Sequence, residues 1–213
     1  MTATKRPAFP PAWTKTEERF FARLKTPFAI QRFLDETEYS AEPIYRCPRR
    51  VIADRRAHCV DGALLAAAAL RRLGFPPLVM ELQAVRDDDH LLALYRRHGC
   101  WGAVAKSNFS TLRFREPVYR SVRELVMSYF EGYFNVAGEK TLRAYSTPLN
   151  LARLDRLQWE TRDDGIETVI ARLEATRHYP VATPAMIAGL EKADARSYQA
   201  GLLGSKADGL YRV

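Results

Sequence analysis

The sequence predicts an α+β fold in which one buried helix packs against an antiparallel sheet, with additional helices near both ends of the chain. The helix is predicted by a run of alanine and leucine over residues 59–72. The sheet is predicted by two apolar stretches, 90–97 and 101–107, that a short turn separates. A chain of 213 residues can bury one sizeable core, so we expect a single domain over residues 1–213.

The N-terminal part is predicted to be helical and then irregular. Residues 14–36 place apolar side chains at helical spacing, and Pro27 interrupts the pattern, so they form one or two helices. Residues 39–56 are rich in turn-forming residues, and Pro43 and Pro48 exclude a continuous element there. We therefore expect a loop that leads into the alanine-rich helix.

The alanine-rich helix lies within RRAHCVDGALLAAAALRRLG, residues 55–74. We expect it to run from about Cys59 to Arg72 and to stop at Gly74, because arginines occupy its last turn and prolines follow the glycine. Its apolar run is closed by Arg71 and Arg72, short of the roughly 18 residues that a membrane-spanning helix needs. The segment is therefore predicted to be a core helix, and we expect no membrane partner.

Three strands are predicted to follow this helix. Residues 77–85 combine β-branched and apolar side chains, and the acidic stretch 86–89 after them is typical of a solvated turn. Residues 90–97 and 101–107 then flank residues 98–100, which predicts a β-hairpin. The order of elements in this region is thus helix, strand, strand, strand.

The remaining chain is predicted to be mostly helical. Residues 119–134 return to helical spacing. Residues 141–151 form either a further strand broken at Pro148 or an extended connection. Helices are expected over about 164–177 and 184–203.

Composition and charge favour a globular protein that does not bind nucleic acid. Hydrophobic residues make up 47% and charged residues 27% of the chain, which is not the composition of a disordered protein. The net charge of +8 invites a nucleic-acid interpretation, yet the arginines are spread in pairs over the chain. This spread favours a solvated basic surface. The pairs are Arg49-Arg50, Arg55-Arg56, Arg71-Arg72 and Arg96-Arg97.

The N-terminal stretch and the cysteines predict a cytoplasmic protein with free thiols. The first residues have a basic start but lack the apolar run of a secretory signal. Cys47, Cys59 and Cys100 are an odd number of cysteines, which argues against a disulfide framework. With the four histidines they form no CxxC or HExxH pattern, so we expect no metal and no cofactor.

The strongest candidate for chemistry is Cys59, at the predicted start of the alanine-rich helix. A helix N-terminus stabilises a thiolate through its dipole and unpaired N–H groups, and the thiolate is the nucleophilic form of cysteine. A cysteine that only packs would suit the alanine-rich face equally well. Catalysis also needs a base, and His90 opens a strand at the end of the sheet, where the helix N-terminus is expected. An imidazole there takes the thiol proton and later donates it to the leaving group.

A third group must hold the imidazole, and the hairpin register selects between two polar residues. If the turn has two residues, His90 faces Ser107; if it has three, His90 faces Asn108. An asparagine carbonyl accepts from an imidazole N–H and fixes its tautomer. We therefore prefer Asn108, since the shorter Ser107 hydroxyl is the weaker orienter.

The order of these features matches a known pattern. The chain reads HCVDGALLAAAALRRLGFPP and then DHLLALYRRHGCWGAVAKSN. The pattern is a Gly-x-Cys, a helix of small and apolar residues ending LRxLG, a strand, a His, and a Trp followed four residues later by Asp. In these features, over about residues 40–135, the chain resembles the transglutaminase-like superfamily, distant relatives of papain-type cysteine proteases. The resemblance implies a papain/transglutaminase-like core with Cys59 as nucleophile and His90 as its base.

Two positions depart from the family pattern. Ala57 stands where the family has glycine, and Ala105 stands where it has aspartate. The third catalytic group would then come from Asn108, Ser107 or a residue elsewhere. Residues from about 150 to 213 lie outside the resemblance and are expected to form a helical C-terminal extension.

The function that these residues imply is a cysteine-dependent hydrolase or acyl transferase acting on an amide or peptide-like bond through a thioester. The expected partners are peptide, protein or small amide substrates. The N–H of Cys59 would stabilise the oxyanion, while the second donor stays open. The alternative is a catalytically inactive binding module on the same fold that uses its basic surface.

Overall fold

The structure is a computed structural model that describes residues 13–211. Its helices are α1 (Lys15–Arg23), α2 (Pro27–Asp35), α3 (Pro48–Asp54), α4 (Cys59–Arg72), α5 (Val122–Phe130), α6 (Ile166–Glu174), α7 (Pro184–Ala188) and α8 (Ala195–Gly201). Its strands are β1 (Glu38–Tyr39), β2 (Arg56–Ala57), β3 (Leu78–Ala84), β4 (His90–Arg97), β5 (Cys100–Val104), β6 (Arg115–Tyr119), β7 (Leu142–Ser146), β8 (Leu149–Asn150) and β9 (His178–Pro180). Short 3-10 turns lie at Ser110–Leu112, Leu151–Leu157 and Ala207–Gly209. The predicted α+β class is confirmed.

Within residues 13–211, seven strands form one antiparallel sheet in the order β6-β5-β4-β3-β7-β9, and β8 also pairs with β3. β4 and β5 are the predicted hairpin. Its turn, His98-Gly99, has φ angles of 51° and 80°. Two positive φ angles are typical of the type I′ turn in two-residue hairpins. Arg97 accordingly lies opposite Cys100, and the three-residue turn that favoured Asn108 is wrong.

The sheet carries a helical layer on each face. Because side chains alternate along a strand, Leu91 and Ala93 of β4 point toward α4, whereas Leu92 and Leu94 point toward α5. The α4 layer also contains α1, α2 and α6, and α4 itself is buried from Val60 to Leu70. Burying both faces of one sheet explains why β4 is apolar at every position from Leu91 to Leu94.

The predicted helices in the N-terminal part are confirmed. The segment after them, residues 39–56, was predicted to be a loop but contains the helix α3. Thr14 and Thr26 cap α1 and α2, and Pro27 is the first residue of α2. Pro48 likewise occupies the first position of α3, where a missing N–H costs nothing. The proline that we interpreted as excluding an element therefore begins one.

The C-terminal part contains more strand than expected. The predicted strand broken at Pro148 is confirmed as β7 and β8. Residues 150–213 were expected to be a helical extension, but β9 adds a strand to the edge of the sheet beside β7. β6 was not predicted at all. The extension is thus part of the sheet architecture, and its helices are shorter than expected.

The close approach of α4 to the end of β5 depends on a glycine. A Cβ added at Gly62 would lie 2.2 Å from the Cβ of Lys106. Lys106 runs past this contact and donates from Nζ to the carbonyl oxygens of Leu34 and Thr37, at the C-terminal end of α2. Burial lowers the pKa of Lys106 to about 8. Gly62 therefore brings the start of α4 against the end of the hairpin.

Candidate active site

The start of α4 is fixed by a cap that holds Cys59 at the first helical position. The Val60 N–H donates to Nδ1 of His58 at 3.1 Å, and the His58 N–H donates to Asp61 at 3.2 Å. Nε2 of His58 lies 3.0 Å from the carbonyl oxygen of Ile44. His58 is therefore the N-cap of the helix.

Asp61 ties the preceding loop to this cap. Its fully buried carboxylate accepts a hydrogen bond from the Arg46 N–H at 2.8 Å, and the Arg46 guanidinium lies 3.5 Å from it. Burial raises the pKa of Asp61, while His58 and the two N–H donors oppose that rise. Arg46 is itself buried and also bonds Asp54 and Glu42. This network gives the loop before Cys59 a single position.

The Cys59 sulfur rests against the beginning of β4. Sγ lies 3.7 Å from the carbonyl oxygen of Asp89 and also receives a hydrogen bond from the Leu91 N–H. Burial raises the pKa of the thiol to about 12, and the negative charges of Asp88 and Asp61 add to the rise. In this structure Cys59 is a thiol and not a thiolate.

His90 occupies the first position of β4, with its ring buried on the α5 face of the sheet. The ring contacts Tyr133 edge-on at 6.4 Å, and Nε2 lies 2.8 Å from the carbonyl oxygen of Leu112. A carbonyl only accepts, so Nε2 carries the proton and Nδ1 is left as an acceptor. Burial lowers the pKa of His90 to about 4, so the ring is neutral.

Cys59 and His90 come from opposite layers of the sheet and border one small cavity. The ladder between β4 and β5 begins only at Ala93 and Val104, which leaves the start of β4 uncovered on that side. The sulfur and the imidazole both line a cavity of about 40 Å³ at this opening. Within residues 13–211 their hydrogen bonds go to other groups, Asp89 and Leu112 respectively.

Asn108 and Ser107 line the same cavity but do not hold the imidazole. The Asn108 carboxamide makes two hydrogen bonds with the backbone of Lys206, each 2.8 Å. Ser107 accepts from the Phe109 N–H at 3.0 Å. Since β5 ends at Val104, neither residue pairs across the ladder with His90. The hydrogen bond that we predicted to the ring is instead made by Leu112.

Ala105, where the family pattern has aspartate, has no polar group to offer. Its side chain is buried in the core on the α5 face, the face that also carries His90. Its backbone is bonded on both sides by the Gln31 side chain, at 3.0 and 3.1 Å. No sequence signal could have identified Leu112 as the replacement, because the group that acts is a backbone carbonyl.

A larger cleft of about 600 Å³ opens on the other side of Cys59 and is acidic. The carboxylates that line it are Glu42, Glu81, Asp88, Asp89, Glu174 and Asp208. Among the lining residues within 13–211 there is no lysine or arginine. Burial raises the pKa of Asp88 and of Asp89, and the charge of Asp89 raises that of Asp88 further. The cleft is thus a negative surface on a chain of net charge +8.

Other residues that the sequence singled out have structural positions. His178 begins β9 and lies 2.8 Å from the Glu81 carboxylate. His98 lies in the hairpin turn as expected. Cys47 is buried, and burial raises the pKa of its thiol to about 12. Asp87 of the acidic turn accepts from Thr141 at 2.7 Å.

The part of the chain that the structure describes contains neither a metal-binding cluster nor a helix that could span a membrane. Between residues 13 and 211, no group of three or more His, Cys, Asp or Glu side chains is arranged to hold a metal ion. In the same part of the chain no helix has the length and apolar character to cross a bilayer. No protein-family model matches the chain, and no curated protein matches it in sequence.

Proposed function

We propose that the protein is a cysteine-dependent hydrolase or acyl transferase acting on an amide or peptide-like bond, with Cys59 as nucleophile and His90 as general base and acid. The observation that carries this proposal is the cavity that the thiol and a neutral imidazole share. Leu112 fixes that imidazole with Nδ1 free to accept a proton. The resemblance of residues 40–135 to transglutaminase-like proteins supports the same assignment.

The proposed reaction starts from two neutral groups. When a carbonyl carbon reaches Sγ, Nδ1 of His90 takes the thiol proton and sulfur forms a bond to that carbon. The first N–H groups of α4 have no partner inside the helix, so we expect the Cys59 N–H to stabilise the oxyanion. His90 then returns the proton to the leaving amine as the carbon–nitrogen bond breaks. Water attacks the thioester carbon while His90 takes its proton; the carbon–sulfur bond breaks, the carboxylic acid leaves, and His90 returns the proton to the Cys59 sulfur.

An activated ester tests this proposal directly. We expect an N-acetyl amino acid p-nitrophenyl ester to acylate Cys59, detected by mass spectrometry of the acid-quenched protein. Loss of the general base in His90→Ala should slow acylation about 100-fold or more. Cys100→Ser serves as the matched control and should acylate at the wild-type rate. Equal, slow acylation of all three cysteines would contradict the proposal.

A second candidate is a catalytically inactive binding module on the same fold. Two features favour it: the raised pKa of Cys59, and Ala105 in place of an acid behind His90. In that case the basic surface would bind an acidic protein, and His90→Ala would leave the acylation of Cys59 unchanged. The ester experiment therefore separates the two candidates.

A further inference from the structure

Residues 205–211, here called the strap, pass over the candidate active site after α8. Gly209 and Tyr211 line both the acidic cleft and the small cavity that Cys59 and His90 share. Gly209 packs so closely on Tyr39 that an added Cβ would lie 2.6 Å from Cε1 of that ring. The strap is therefore one wall of the cleft and part of the lining of the cavity below it.

The strap is attached mainly through its backbone and one ion pair. The Asn108 carboxamide donates to the Lys206 carbonyl and accepts from the Lys206 N–H. The Lys206 ammonium pairs with Glu38, and Leu210 is half-buried against the core on the α5 face. Within the strap, the 3-10 turn Ala207–Gly209 contains no buried residue. Few buried apolar contacts give a segment low local stability.

A hinge separates the strap from a firmly held helix. Tyr198 of α8 donates to the Val136 carbonyl at 2.9 Å, and Gly201 packs against the Phe134 ring. Gly204 follows with a φ of 76°, and no atom lies within 4 Å of where its Cβ would be. A glycine in left-handed conformation in open space allows the strap to turn without disturbing α8.

We infer that the strap is an autoinhibitory segment that must leave Asn108 before a substrate can reach Cys59 and His90 together; this inference rests on the proposed function. The cavity of about 40 Å³ has room for about one water molecule, and an acyl group does not fit there. The two bonds to Lys206 show that Asn108 can bind an extended backbone through both its N–H and its C=O. A peptide substrate would take the place of the strap on Asn108.

Two full-length variants open the strap by different means. Gly209→Ala places a methyl group against Tyr39, and Asn108→Ala removes both bonds to Lys206. We expect the p-nitrophenyl ester, which must reach Cys59 and His90 together, to acylate Cys59 about tenfold faster or more in both variants, since two hydrogen bonds of ordinary strength are lost or strained. Ala207→Ser, at an exposed strap position, is the matched control and should keep the wild-type rate.

Hydrogen exchange over residues 205–211 measures strap opening independently of the thiol. Faster exchange in Gly209→Ala together with faster acylation supports the strap as a gate, whereas faster exchange with unchanged acylation overturns it. Failure of the proposed chemistry is distinguishable, because His90→Ala in the Gly209→Ala background tests whether acylation depends on the base. If acylation accelerates but does not depend on His90, the gate stands and the proposed function fails.

Discussion

At the scale of single residues, burial is the largest influence on the protonation of the candidate site. Desolvation is the largest effect on both Cys59 and His90, and it keeps the thiol and the imidazole neutral. In the proposed reaction the proton would therefore move when the substrate arrives, because the two groups start out neutral. Leu112 prepares that transfer by fixing the tautomer of the ring.

The buried imidazole should make stability depend on pH. The unfolded His90 takes up a proton below about pH 6.5, while the folded ring stays neutral down to a pKa of about 4. Stability should therefore fall as the pH decreases from 6.5 to 4, by about 3 kcal/mol from this residue. Urea unfolding at several pH values measures this decrease in the free energy of unfolding. In His90→Phe the contribution of the imidazole should be absent. His98→Asn is the control, and a wild-type slope in His90→Phe would refute the assignment.

Asp61 should matter for stability more than for chemistry. Asp61→Asn removes the buried charge that faces the Arg46 guanidinium and weakens the cap on α4. We expect a loss of about 2 to 4 kcal/mol, measured by urea unfolding at pH 7. Asp164→Asn, which affects only an exposed pair with Arg162, should show no measurable loss. Equal effects in the two variants would mean that the Arg46 network adds little.

Single residues were predictable only where a local signal marks them. Cys59 follows from a helix start and His90 from a strand start, and both positions are as predicted. The partner of Asn108 lies 98 positions further along the chain and forms the bond through its backbone, so no local pattern encodes it. The partner of His90 is likewise a backbone carbonyl.

At the scale of elements, α4 is placed by the absence of a side chain at Gly62. Alanine is a better helix former than glycine, yet Gly62→Ala should destabilise the protein by about 1 to 3 kcal/mol. The added methyl would lie 2.2 Å from the Lys106 Cβ, which is too close for both elements to keep their positions. Thermal unfolding checks this. In the control Gly189→Ala the nearest atom is 3.9 Å away, and a similar loss there would refute the steric argument.

Elements with a strong periodic signal were predicted well, and those defined by pairing were not. α4 and β4 have the predicted bounds because composition and end signals agree. β6 and β9 are short edge strands, and their place depends on neighbours that are distant in sequence. α3 was missed because a proline is unfavourable inside a helix but favourable at its first position.

At the scale of the whole molecule, the charge distribution contrasts with the net charge. The chain carries +8, while the cleft beside Cys59 is lined by carboxylates. A site of one sign attracts ligands of the other and raises their local concentration. We therefore expect the cleft to favour positively charged ligands.

Charged thiol reagents measure this field. We expect the trimethylammonium-ethyl methanethiosulfonate to modify Cys59 about tenfold faster than the sulfonato-ethyl analogue at low salt, with the ratio falling as salt increases. The double variant Asp88→Asn with Asp89→Asn should reduce the ratio. Cys100, at the hairpin beside Arg96 and Arg97, is the internal control and should not prefer the cation. A ratio near one at Cys59 would show that the cleft exerts no steering.

The α+β class could be predicted from the sequence because one helix and one hairpin have clear patterns. The division of the helices into two layers could not be predicted. The even and odd residues of β4 are both apolar, so the sequence does not say which helix covers which face. That division depends on the long-range packing of α5 and of the C-terminal segments.

The arrangement of the core in two layers has a consequence for the newly synthesised chain. The sulfur belongs to one hydrophobic layer and the imidazole to the other, so neither layer alone brings the two together. A nascent chain that has completed only the first layer carries an isolated thiol without its base. Under the proposed function, reactivity would then begin only once both layers are folded.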